Sequence, residues 1–192
     1  MTVQKFKQRD KKSKGRGHPI MFGLPEAEQF DDFPDGGGYP HGFLRRAYAI
    51  MEVTNIDAVL HVCSGSMKTG IRIDIRGSLR PTVIADVRVL PFRDHSFQWI
   101  LADPPYTQDY AQNLYGTGGV YPDPHQLVQE CLRVLAPNGR LGFMHHMVPK
   151  FRKPGRVLKV YGISQGPGYN IRAWTLLTKD ETRTPPPHTS AG

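Results

Sequence analysis

From Ala58 onward the apolar residues fall in short runs, each closed by a polar or small residue: AVLHVC at 58–63, IRIDI at 71–75, TVIAD at 82–86, FQWILAD at 97–103, RLGFMHH at 140–146, VLKVYGI at 157–163 and AWTLLT at 173–178. Several are rich in β-branched and aromatic residues, as strands inside a covered sheet are. Two stretches carry helical spacing instead. Residues 41–53 place Phe43, Leu44, Ala47, Ile50 and Met51 on one face, with Arg45 and Arg46 on another. Asp123 is a good N-cap, Pro124 suits the first helical position and Gln126 stands three after the cap; Leu127, Val128, Cys131, Leu132 and Leu135 then share a face. Pro137-Asn138-Gly139 is expected to end that helix and lead into a strand starting at Arg140. Strands alternating with helices predict a mostly parallel α/β sheet, whose ligands collect at the carboxyl ends of the strands. About seven residues separate Cys63 from Ile71, whereas a parallel crossover usually takes a dozen or more. Either the first connecting helix is reduced to about a turn, or one of those two strands is misassigned.

At 192 residues the chain has room for one α/β core and no second recognition domain. The expected organisation is a disordered basic tail over 1–18, one domain over 19–180 and a disordered C-terminal tail over 181–192. No run of about 18 apolar residues is present and no apolar stretch follows the lysine-rich start, so a soluble, cytoplasmic protein without membrane association is expected. Cys63 and Cys131 lie in unlike contexts and read as reduced thiols, not as a disulfide or metal site. The net charge of +8 is concentrated at one end: Lys5, Lys7, Arg9, Lys11, Lys12, Lys14 and Arg16 against Asp10 give +6, leaving +2 for everything after residue 17. Such a tail cannot offset the entropy of ordering itself. It is either a solubilising device or a contact for phosphates, Lys11, Lys12, Lys14 and Arg16 being its densest cluster.

The sharpest chemical signal is Asp103-Pro104-Pro105-Tyr106, directly after the apolar run 97–102. Proline fixes φ and bars the preceding residue from helical conformation, so two in succession force a stiff, extended exit from the strand. The Asp103 carboxylate and the Pro104 carbonyl can converge as acceptors on one NH2 group, while Tyr106 offers a ring on which a planar base can stack. An aromatic amine is a poor nucleophile because its lone pair is conjugated with the ring. Two acceptors on its hydrogens favour a pyramidal nitrogen whose lone pair can attack.

This Asp-Pro-Pro-Tyr after a strand resembles the catalytic motif of the class I S-adenosylmethionine-dependent amino-methyltransferases, most of all the DNA adenine-N6 enzymes. RNA guanine-N2 enzymes carry the same four letters, and DNA cytosine-N4 relatives more often have Ser in first place, so Asp103 tilts the reading toward adenine. The resemblance implies a single Rossmann-like domain, with a mostly parallel sheet and a terminal antiparallel hairpin. Val59-Leu60-His61-Val62-Cys63-Ser64-Gly65-Ser66 resembles the family's cofactor loop, with His61 where an acid is usual and Met67 where a second glycine would follow. The implied cofactor set is His61, Cys63, Ser64, Gly65, Asp74, Asp86, Val87 and Asp103. Asp74 would take the ribose hydroxyls and Asp86 the adenine amino group of the cofactor. Leu90-Pro91-Phe92, with Asp94 and Phe97, resembles the lead-in to the catalytic strand.

Tyr106, Tyr115 and His145 are candidates for the substrate side, and Tyr110, Tyr115 and Tyr121 with Gly116, Gly118 and Gly119 form either a lid or an ordinary surface loop. His145 and His146 lack further ligands at metal spacing, so no metal is expected. Only about 16 residues lie between Tyr106 and the next helix, too few for a target-recognition domain. Selectivity should then be low, or supplied by a partner protein or the tails. The expected partner is nucleic acid, DNA favoured over RNA, with an RNA guanine-N2 or adenine-N6 enzyme as one alternative. The other is a nucleic-acid-binding module or partner subunit that keeps the fold without turnover.

Overall fold

The computed structural model of the chain describes residues 20–22, 39–40, 42–114, 120–164 and 168–180. The basic tail with Lys11, Lys12, Lys14 and Arg16, the C-terminal tail 181–192, and Tyr115 with its neighbouring glycines lie outside the described residues.

Among the described residues eight strands form one sheet: β1 (Ile20–Phe22), β2 (Leu60–Val62), β3 (Ile71–Asp74), β4 (Val83–Ile84), β5 (Phe97–Ala102), β6 (Leu135–His145), β7 (Gly155–Ser164) and β8 (Arg172–Lys179), in the order β1-β7-β8-β6-β5-β2-β3-β4. The pairs β2·β3, β2·β5, β3·β4 and β5·β6 are parallel, and β6·β8, β7·β8 and β1·β7 antiparallel. This is the Rossmann-like arrangement with a terminal antiparallel hairpin, extended by β1, which the sequence pattern does not reveal.

Among the described residues each face of the sheet carries one α-helix. Helix α1 (Phe43–Ile50) buries Phe43, Leu44, Ala47 and Tyr48 in a cluster with Leu101, Met144, Tyr161 and Trp174. Helix α2 (Pro124–Val134) is capped by the Asp123 carboxylate, which accepts from the His125 and Gln126 amides. Its Leu127, Val128, Cys131 and Leu132 pack on Leu60, Val62, Ile100 and Phe143. Adjacent strand residues thus serve opposite cores, as the two-residue period requires.

Both strand assignments around the short connection hold, since Leu60, His61 and Val62 pair in parallel with Ile71, Arg72 and Ile73. No helix forms between them. Residues 63–70 make tight turns, with Met67 N donating to Ser64 O and Gly70 at φ 70° against the Val59 carbonyl. Between β3 and β4 there is only a 3-10 turn, Gly77–Leu79. At the other end, Pro137-Asn138-Gly139 does not separate helix from strand as expected. Helix α2 stops at Val134, Leu135 already pairs with Phe97, and the turn residues bulge out before Arg140 pairs with Trp99. Apolar character cannot tell a last helical residue from a first strand residue when both face the same core.

Candidate active site

Strand β5 lies between β2 and β6, and its carboxyl end delivers Asp103. The backbone ladder continues one residue past the strand, Asp103 N donating to Val62 O at 3.3 Å, which sets the carboxylate beside the turn that follows β2. Pro104 and Pro105 are buried, and the chain returns so that Tyr106 Oη donates to Asp103 Oδ1 at 2.7 Å. Arg172, the first residue of β8, donates from Nη1 to Tyr106 Oη at 3.1 Å. Burial pushes the Asp103 carboxyl up to about 6, although the Tyr106 hydrogen bond and the Arg172 charge pull it down. The Tyr106 ring lies 4.3 Å from the His146 ring and 5.3 Å, edge-on, from the His145 ring.

One cleft at the carboxyl edge of the sheet is lined by Cys63, Gly65, Asp74, Asp86, Val87, Asp103, Pro105 and Tyr106, all from the motifs picked out in the sequence. Ile75, Arg76, Val120, Pro122 and Arg172 complete it. Gly65, at φ 53°, donates its amide to Asp74 Oδ2 at 3.0 Å, latching the turn after β2 to the end of β3. Asp74 is 3% exposed and also accepts from the Arg76 amide and guanidinium. Asp86 makes the same Asp-x-Arg pairing with Arg88, whose hydrogen bonds hold its carboxyl below the usual carboxylate range. Each strand-end acid of the cleft is therefore matched to one arginine, Asp103 through the hydroxyl of Tyr106.

Four expected site residues, Pro104, His61, Ser64 and His145, do not line the cleft; Pro104 is buried in the turn after Asp103. His61 is fully buried and its Nε2 lies 3.0 Å from the Tyr48 hydroxyl of α1. Desolvation, with the Arg72 charge, lowers its imidazole to about 4, so at neutral pH it is an uncharged core residue. Ser64 is 1% exposed and its amide donates to Ile73 O. His145, 3% exposed, accepts from Met147 N at Nδ1 and meets the site only through Tyr106. Burial, followed by the charges of His146 and His125, takes His145 down to about 4.

A family model described as a methyltransferase domain matches residues 32–143, more than half of the chain. The chain belongs to this methyltransferase family. Among solved structures it is similar to TrmN from Thermus thermophilus, with a TM-score of 0.50 and 17% identity over 69% of this chain and 46% of that one. It is also similar to PH0851, with a TM-score of 0.47 and 12% identity over 69% and 45% of the two chains. A third likeness is to the 1,6-didemethyltoxoflavin-N1-methyltransferase of Burkholderia thailandensis, solved with S-adenosylhomocysteine, at a TM-score of 0.48 and 12% identity over 72% and 78%. The chain thus spans under half the length of the first two, and these likenesses are ones of fold. No curated protein matches the chain.

The cleft of this methyltransferase suits the family's cofactor, S-adenosylmethionine, in its donor and acceptor chemistry. Asp74 and Asp86 are acceptor-only groups suited to hydroxyl and amino hydrogens, and Cys63, Gly65, Ile75 and Val87 line the cleft beside them. Among the described residues no helix is long and apolar enough to cross a membrane, and no cluster of potential metal ligands occurs.

Proposed function

We propose that this methyltransferase transfers a methyl group to an exocyclic amino group of a nucleic-acid base, with adenine N6 in DNA as the favoured acceptor. The observation that carries the reading is Asp103 standing at the carboxyl end of β5, in the same cleft as Asp74 and Asp86, on a rigid prolyl turn that leads to Tyr106. Bound S-adenosylmethionine supplies a methyl group whose sulfur leaves as a neutral thioether. The protein's part is to hold and activate the amine. Asp103, ionised above about 6, accepts one amine hydrogen and stabilises the positive charge that grows on nitrogen; the Pro104 carbonyl accepts the other. After transfer the excess proton leaves the amine toward the carboxylate or water. Tyr106 bounds the acceptor's pocket and, with His146 beside it, offers aromatic surface to a planar base. A base in duplex DNA must be flipped out, at about a few kcal/mol that such stacking partly offsets.

Cys63, Gly65, Asp74, Asp86 and Val87 are proposed to hold the cofactor, and the basic tail to hold phosphates. The test is incubation with radiolabelled S-adenosylmethionine and separate pools of DNA, RNA and protein, followed by digestion to nucleosides. Label in N6-methyladenine from DNA is the expected result. Label in N2-methylguanine would turn the reading to the RNA enzymes. No transfer and no heat of cofactor binding would make the chain a binding module.

A further inference from the structure

Arg172 is not part of the Asp-Pro-Pro-Tyr motif, nor of the stretch that matches the family, which ends at residue 143. It opens β8, and because β8 runs antiparallel to β6, with Ala173 opposite His145, its first residue comes back to the edge where β5 and β6 end. Among the described residues its guanidinium is used on one arm only. Nη1 donates to Tyr106 Oη, which in turn donates to Asp103 Oδ1. Nη2 is buried, and among the described residues no acceptor reaches it. Arg172 lines the same cleft as Asp103 and Tyr106. A buried N–H with no acceptor is disfavoured, and guanidinium has donors only.

We infer that Arg172 determines substrate specificity: Nη2 donates to a ring-nitrogen acceptor next to the amino group held by Asp103, so the methyl acceptor carries an amine beside a ring nitrogen, as adenine and cytosine do. The inference rests on the amino-group reading above. An acceptor at Asp103 beside a donor at Arg172 is the complement of that edge. On the Watson–Crick edge of guanine the neighbour of the amine is an N–H, which would meet the guanidinium donor to donor; guanine could satisfy Nη2 only by presenting its N3 edge instead.

The test uses the full chain with single-stranded oligonucleotides carrying one adenine or one cytosine as the sole amine-bearing base, and matched oligonucleotides with 1-deazaadenine, 7-deazaadenine or 3-deazacytosine. For the base it methylates, wild type should lose about 10–100-fold in kcat/KM when the contacted ring nitrogen is replaced by carbon, the range for a hydrogen bond from a charged donor. Arg172→Met should lose a similar factor on the natural base and nothing further on the carbon analogue. A second readout is the pH profile. The Arg172 charge holds the Asp103 carboxyl down, so Arg172→Met should move the acid limb of activity upward while Arg172→Lys leaves it in place. Affinity for S-adenosylhomocysteine within a few-fold of wild type reports an intact fold; should Arg172→Met not fold, Arg172→Lys carries the comparison, since an ammonium lacks the second arm of the fork. Arg172→Met discriminating against the carbon analogue as strongly as wild type would overturn the inference while leaving the amino-group reading intact. Wild-type protein that methylates guanine, on a third oligonucleotide carrying that base alone, but neither adenine nor cytosine would overturn the inference and leave the amino-group reading intact; methylation of none of the three bases would overturn both.

Discussion

Asp103 is the residue on which the chemistry and the stability pull in opposite directions. Its carboxyl titrates near 6 in the fold against 3.8 in the ordinary case, so the folded state binds this proton more tightly than the unfolded chain. Raising the pH from about 4 to about 6 therefore removes stability, and the loss is complete above 6. Asp103→Asn should abolish methyl transfer yet raise stability above pH 6 by about 1–3 kcal/mol, solvent in the cleft screening part of the effect, with the gain vanishing near pH 4. Denaturant melts at the two pH values check this. Wild-type activity should rise with pH through about 6, as Asp103 ionises. Asp74→Asn and Asp86→Asn should each weaken binding of S-adenosylhomocysteine by about 1–3 kcal/mol, measured by calorimetry. These acids were legible in the sequence because each closes an apolar run, and run ends in a parallel sheet lie on one edge. His61 was misleading for a related reason. All three residues of β2 are buried, so no polar alternation discloses that its ring points to Tyr48 on the α1 side. Arg172 had no local signal at all, since only the register of β8 against β6 brings it to Tyr106.

The elements follow the sequence where a cap or a period fixes them and depart where a connection is compressed. Helix α2 begins where Asp123 and Pro124 require, and Asp123→Ala should cost about 1 kcal/mol of stability by loss of the carboxylate oxygen that accepts from the His125 and Gln126 amides. Between β2 and β3, and again between β3 and β4, the spacing left room for turns only, which is what forms. The bulge at Pro137-Asn138-Gly139 was not legible, because those residues signal a turn without saying whether a strand resumes on the same partner. Packing between elements has its own test at Gly142, where an added Cβ would stand 2.6 Å from Trp174 Nε1 and 2.7 Å from Leu101 Cδ2. Gly142→Ala should destabilise by about 1–3 kcal/mol through overpacking, and near-ultraviolet circular dichroism of Trp174 should report the disturbance.

At the scale of the molecule, among the described residues one α-helix on each face covers a sheet of eight strands, and side chains near β4 stand open, with Ile84 63% and Val89 75% exposed. Charge is as uneven as cover. Removing residues 2–17, which hold seven basic residues and one acid, should weaken binding to all nucleic-acid sequences alike and flatten its salt dependence. The log–log slope should change by about five to six if every cation meets a phosphate, with turnover at saturating substrate retained. An unchanged slope would leave the tail a solubility device. The antiparallel return of β8 has a temporal side. A growing polypeptide that has reached residue 170 already carries the whole Asp-Pro-Pro-Tyr turn with Asp74 and Asp86, but lacks the strand that pairs with β6 and the guanidinium that donates to Tyr106. Synthesis from the amino end therefore completes the Asp103–Tyr106–Arg172 chain of hydrogen bonds only once β8 has emerged, and a nascent fragment ending before β8 should show no methyl transfer.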